Sequence, residues 1–169
     1  MSWLRGELSA LVLVLRVMCP MEESIAQQRE LPLALRAAYM ALHRSTEAAF
    51  AKHGVTADQF VLMLALQDGG TLTQRELVER ISSDASTVRA MLVLLEKSGY
   101  VHRASHPSDS RAKSVELTSA GKKKLRQLWK VGQAIRDRMY GALSTREADV
   151  MIESLRRVSE ALSRENVEA

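Results

Sequence analysis

Apolar residues recur at three- and four-residue spacing between Leu31 and Lys52, at Leu31, Leu35, Ala38, Leu42, Ala49 and Phe50, the period of one helical face. Pro32 fits the first turn of such a helix, and Gly54 closes it. A second helix is expected from Thr56, which forms a capping box with Gln59, to the stop at Gly69 and Gly70. Thr73 and Glu76 repeat that device ahead of a short third helix that buries Leu77 and Ile81. A fourth helix follows after a few polar residues, with Ser83 or Asp84 as its cap. Val88, Met91, Leu92 and Leu95 form its inward stripe, while Ser86, Thr87 and Arg89 face the other way near its N-terminus.

The period then changes. Gly99 ends the fourth helix, and Tyr100 to Ala104 and Lys113 to Thr118 carry β-favouring residues in rough alternation, joined by a polar loop. Arg103, His106, Arg111 and Lys113 lie in that loop and at the inner strand ends, with Asp109 two residues before Arg111. Two helices joined by a tight turn could equally be a plain helical hairpin; a β-hairpin with a cationic tip directly after them makes a winged helix. Such a tip has phosphates or a narrow minor groove to reach. Beyond Thr118 the chain reads as helical to its end. Leu125, Leu128, Ile135 and Met139 line one face, and Ser144 with Glu147 opens a last helix bearing Met151, Leu155, Val158 and Leu162. Seams of that kind need a partner, and the first and last helices are expected to meet in a bundle that joins two protomers. The fold class is therefore mainly α with a small β-hairpin wing. An N-terminal extension is expected over residues 1–24 and one domain over 25–169, its winged helix at about 56–118 and its dimerisation helices at about 30–53 and 119–164.

Composition supports the picture and narrows it. Of 169 residues, 46% are apolar and 26% charged, the balance of a folded chain, and the low aromatic share of 4% with only 3 prolines favours helices. The net charge is only +4, but residues 71–124 hold ten Lys/Arg against six Asp/Glu, whereas both flanks are close to balance. A local basic excess suits a polyanion, although charge alone fits a solvated face as well. The single cysteine, Cys19, can form neither an intramolecular disulfide nor a zinc site alone, which places the chain in a reducing, cytoplasmic setting. Leu8 to Val17 is too short for a membrane span, contains Arg16 and is followed by no cleavage signal; it reads as an extra helix or as sequence upstream of a later start, and no membrane partner is expected. Four scattered histidines, no glycine-rich phosphate loop and no nucleophile elbow argue against an enzyme, and no cofactor is expected. His102 and His106 with Asp109 could hold a metal, but that spacing also fits polar surface, and no metal site is assigned.

With "LTQRELVERI", "STVRAMLVLLEKSGYVHR" and above all "DSRAKSVELTSAG", the chain from about Leu31 to Leu162 resembles the MarR family of bacterial transcriptional regulators. The resemblance implies a homodimeric winged-helix repressor or activator on a pseudo-palindromic DNA operator, often released by a small phenolic or aromatic ligand. It implies that Arg111 enters the minor groove while Asp109 holds the loop. Together with the reading above, the DNA-contacting candidates are Thr73, Ser83, Ser86, Thr87, Arg89, Arg103, Asp109, Arg111 and Lys113. Family ligands lodge between the dimer bundle and the DNA lobe, which implies Leu35, Tyr39, His43, Phe60 and Met63 as lining groups; each also fits simple core packing. Arg89 is the one long base-reading cation of the recognition helix, and the first 25 or so residues have no family counterpart. A peroxide-sensing branch uses a lone cysteine near its N-terminus, but Cys19 precedes the first helix and sits in an apolar stretch that blunts thiolate reactivity. A thiol- or metal-responsive regulator, or a winged-helix adaptor that does not bind DNA, are the alternatives.

Overall fold

The computed structural model describes residues 20–105 and 113–165, with side chains placed for 28–104 and 114–163. The order is α1 (Pro20–Phe50), a 3₁₀ turn (Ala51–His53), α2 (Ala57–Gly69), β1 (Leu72–Thr73), α3 (Gln74–Arg80), α4 (Ala85–Lys97), β2 (Val101–Ser105), β3 (Lys113–Leu117), α5 (Ser119–Val131), α6 (Gln133–Gly141) and α7 (Thr145–Glu165). Among the described residues no helix is long and apolar enough to cross a membrane. The chain divides into two compact units, the first ending at Arg44 and the second starting at Ser45.

In the first unit α1 departs from the sequence expectation. Pro32 lies inside the helix and not in its first turn, because helix already runs from Pro20. The residues ahead of it, Met21 to Leu31, are mostly strong helix formers, and proline's fixed φ is helical, so the cost is one missing backbone hydrogen bond and a local clash that the flanking turns tolerate here. Helix α1 also ends at Phe50, two residues earlier than expected, and the chain tightens into the 3₁₀ turn before Gly54 takes the left-handed φ of 66° that stops it.

The core of the second unit is built on Phe50, Leu62, Met63, Leu66, Leu77, Val88, Leu92, Leu95, Val115 and Leu128, all less than 2% exposed or at that limit. Helix α2 enters it with its N-terminal donors satisfied. Thr56 Oγ1 accepts from Gln59 N, Gln59 Oε1 accepts from Thr56 N, both at 3.1 Å, and Glu47 accepts from Ala57 N. Phe50 and Phe60 meet edge-on with ring centroids 5.0 Å apart.

The expected hairpin is present as β2 and β3, antiparallel with Val101 opposite Leu117 and Arg103 opposite Val115. A third strand accompanies it: β1 pairs with β3, Leu72 opposite Val115, so the sheet order is β1-β3-β2. Two residues cannot display a period, which is why this strand is invisible in the pattern; burial of Leu72 against the core holds it there.

The stripe Leu125, Leu128, Ile135 and Met139 does not belong to one helix. The chain breaks at Gly132 between α5 and α6, leaving Leu125 and Leu128 buried, Ile135 half-buried and Met139 exposed. Arg136 covers the break: its Nη2 donates to Trp129 O and Gln133 Oε1, both at 2.7 Å, and its guanidinium stacks 3.8 Å from the Trp129 ring centroid. A carbonyl that helix continuation would have satisfied is thus met by a side chain.

Candidate nucleic-acid interface

Helix α3, the turn and helix α4 form the helix-turn-helix. The Thr73 hydroxyl accepts from Glu76 N at 3.2 Å and donates to Glu76 Oε2 at 2.8 Å, while Glu76 accepts from Thr73 N, closing the expected capping box. Thr73 is therefore a cap of α3, with its hydroxyl proton already committed. The turn runs through Ser82, which adopts a φ of 50°, and Ser83, whose N–H donates to Val78 O at 3.2 Å. A non-glycine residue in that left-handed region is uncommon, and it bends the chain sharply enough to start α4 three residues later, at Ala85.

Asp84 is the cap of α4. Its Oδ1 accepts from Ser86 N at 3.0 Å and Thr87 N at 2.9 Å, and also from the Ser86 hydroxyl. The Ser86 hydroxyl first, with Thr87 and the backbone N–H groups behind it, holds the Asp84 carboxyl far below the usual carboxylate range. Gln74 Nε2 donates to Ala85 O at 3.0 Å and so ties the first residue of α3 to the first of α4. With both ends of the turn fixed, Val88, Met91, Leu92 and Leu95 enter the core, and Ser86, Thr87 and Arg89 are exposed on the opposite side, as their spacing requires.

The wing is anchored to the far end of α4. Gly99, with a φ of 71°, turns the chain, and the Thr118 hydroxyl donates to Gly99 O at 2.7 Å while accepting from Gly121 N at 3.0 Å. A Cβ at Gly121 would overlap the Tyr100 carbonyl, which gives the Thr-x-x-Gly spacing a physical reason: only glycine lets α5 start this close to the first wing strand. Arg103, on β2, is held by Glu96 of α4, its Nε donating to Glu96 Oε2 at 2.8 Å and its Nη2 closer still. The hydrogen bond to Glu96 raises the guanidinium pKa above its already high ordinary value. Glu96 and Gln74 were not among the expected site residues; neither contact follows a helical or strand period. Lys113 pairs with Ser105 at the outer end of the described hairpin. Asp109 and Arg111, with His106, lie outside the described residues, as does Cys19.

Comparison with known proteins fits this geometry. Residues 53–112, from the 3₁₀ turn into the wing, match a model described as MarR family. The chain is 30% identical over 107 residues to the transcriptional regulator HosA of Escherichia coli O111:H-, an overlap of 63% of this chain and 79% of HosA. The chain belongs to the MarR family. Among solved structures, a mutant MarR from E. coli complexed with operator DNA superposes with a TM-score of 0.69 at 25% identity, over 76% of this chain and 93% of that one. A structure of Bordetella bronchiseptica BpsR, whose subject is regulation of its DNA binding by 6-hydroxynicotinic acid, gives 0.69 at 26% identity, over 76% and 91%.

The ligand-lining candidates of this MarR-family chain fall into two groups. Phe60 and Met63 are core residues of the second unit, 8% and 0% exposed. Leu35, Tyr39 and His43 follow one another at four-residue spacing along α1 in the first unit, with the Tyr39 and His43 rings 5.7 Å apart.

Proposed function

We propose that this protein is a homodimeric, ligand-responsive repressor that binds a pseudo-palindromic operator in double-stranded DNA. The observation that carries the reading is the face of α4 bearing Ser86, Thr87 and Arg89, exposed beside a capped N-terminus while its opposite face is locked in the core. That is the end of a recognition helix that meets base edges in a major groove. Arg89 would supply the bidentate donor, Arg111 at the wing tip would lie along the flanking minor groove, and Lys113 would neutralise phosphate. The operator complex of E. coli MarR supports the assignment.

Dimerisation is proposed from the exposed apolar side chains of the terminal helices. On α7, Val150, Met151, Ile152 and Leu155 are each more than 40% exposed, and on α1 Leu31 and Leu33 are 64% exposed. Apolar surface of that density marks an interface, and a second copy of the chain supplies the matching one. A small aromatic or phenolic acid as the effector is proposed by analogy with BpsR, with Tyr39 and His43 as the groups of α1 that would meet it.

Mobility shift on the DNA flanking the protein's own gene tests the reading. Wild type is expected to retard that DNA, Arg89→Ala to do so much more weakly, and a panel of hydroxylated aromatic acids to contain one that releases it. Equal, weak retardation of every duplex by both proteins would reject sequence-specific binding.

A further inference from the structure

The hydrogen bonds around the cap of α4 restrict what its first exposed residue can read. A serine hydroxyl has one proton and two acceptor lone pairs. In this structure the Ser86 proton is given to Asp84 Oδ1, the same oxygen that receives the N–H groups of Ser86 and Thr87. Ser86 is nevertheless exposed, so what it presents outward is lone pairs. We infer that Ser86 acts in base readout as an acceptor only, and that it selects an amino-bearing base, adenine or cytosine, on the strand it faces. The inference rests on the DNA-binding reading above.

The chemistry of the groove edges makes the restriction specific. Adenine and cytosine offer an amino donor in the major groove, N6 or N4, whereas guanine offers the acceptors O6 and N7 and thymine the acceptor O4. A free serine can serve either kind by rotating its hydroxyl. Ser86 could turn its proton to guanine only by withdrawing it from Asp84. That would exchange a charge-assisted hydrogen bond to the carboxylate, whose Oδ1 would keep only the Ser86 and Thr87 N–H groups, for a weaker neutral one to the base. The negative charge of Asp84 acts in the same direction, since it repels the acceptor edge of guanine and favours an amino group. Arg89 lies three residues on, on the same helical face, and has only donors. The two residues therefore read opposite chemistries: Arg89 takes the acceptor edge and Ser86 the amino group.

The test begins with selection of duplexes from a random pool by the full-length wild-type protein. Failure to enrich any sequence would remove the DNA-binding reading itself. In the enriched site, each adenine is then replaced singly by purine, each cytosine by pyrimidin-2-one and each guanine by 7-deazaguanine, and every duplex is titrated with wild type and with Ser86→Ala. Removing the amino group at one position in each half-site should cost wild type about fivefold per half-site and cost Ser86→Ala nothing. Melting of Ser86→Ala alongside wild type shows that the exposed substitution leaves the fold intact. Coupling of Ser86 to a 7-deazaguanine position, or to none of the amino positions, would overturn the inference.

Discussion

Arg103 Nε and Glu96 Oε2 lie 2.8 Å apart and join the first wing strand to the recognition helix across the turn at Gly99. Arg103 was expected from the sequence to touch DNA; its engagement with Glu96 leads us to propose that it holds the wing instead. The guanidinium side chain is 21% exposed and its partner 38%, so solvent screens the pair and its contribution to stability is modest, about 0.5 to 1 kcal/mol. Its effect on DNA binding should come from holding the wing at its angle. Arg103→Ala and Glu96→Gln are therefore expected to lower operator affinity by similar factors, and the double substitution by no more than either. Salt titration distinguishes this from a phosphate contact, which would flatten the slope for Arg103→Ala and leave Glu96→Gln unaffected.

The close approach at Gly121 predicts a large asymmetry between two glycine substitutions. Gly121→Ala drives a Cβ into the Tyr100 carbonyl, a backbone atom that cannot swing aside, with a Leu117 methyl 3.2 Å from the same position. Strand and helix must separate, at a cost of about 1 to 3 kcal/mol or more. Gly141→Ala, at the end of α6, meets nothing within 4 Å and gains helix propensity, so its melting temperature should equal or exceed that of wild type. Thermal melts of the two variants check both signs.

These particulars also mark what the sequence can convey. The caps at Thr56, Thr73, Asp84 and Ser144 and the inward stripe of α4 are local, because residue type and spacing within one turn decide them. Strand β1 is not local: Leu72 and Thr73 become a strand only because β3 lies alongside. Likewise the turn between α3 and α4 carries no glycine signal, since Ser82 takes the left-handed conformation itself. The helix break at Gly132 was concealed because Leu128 and Ile135 keep heptad spacing across it, although Arg136 folds back on Trp129 to end α5. At the site, residue types and spacing put Ser86, Thr87 and Arg89 on the outward face of α4, but the contacts that orient the site, Gln74 on Ala85 O and Glu96 on Arg103, depend on tertiary placement.

Acid should reveal the Asp84 cap with a defined sign. A carboxyl whose pKa is depressed by folding contributes stability above its unfolded value, about 3.9 for aspartate, and that contribution is lost as pH falls toward the folded-state value. Asp84 is such a group, through the Ser86 hydroxyl first and the α4 N–H groups after it. Asp84→Ala should therefore melt below wild type at neutral pH, with a gap that narrows only below about pH 4. A gap that widens on acidification would contradict the cap as drawn.

The proposed dimer can be dissociated without touching either core. Met151 and Leu155 are 48% and 43% exposed on α7, so aspartate at both positions meets solvent within a protomer and a desolvated apolar face within a dimer. Wild type should scatter light as twice 18.8 kDa and the double variant as a single chain with unchanged helical circular dichroism. A wild-type mass of one chain would end the proposal.

Arg89 and Arg111 should fail differently when removed, because one is assigned to base edges and the other to the phosphate-lined minor groove. Arg89→Ala is expected to cost about 1 to 3 kcal/mol per half-site on the preferred sequence and to relax the preference for one base pair there, with most of the salt dependence retained. Arg111→Ala should weaken binding to all sequences more evenly, reduce the slope of log affinity against log salt, and erase any preference for A·T-rich flanks, where a narrow groove concentrates negative potential. In a symmetric dimer each substitution acts at both half-sites, so the losses count twice on a full operator and once on a single half-site. Salt titrations on full and half operators, with footprints of each variant, read these quantities together. Unchanged salt slope and unchanged flank preference in Arg111→Ala would mean that the wing tip leaves the duplex untouched, and that α4 alone accounts for recognition.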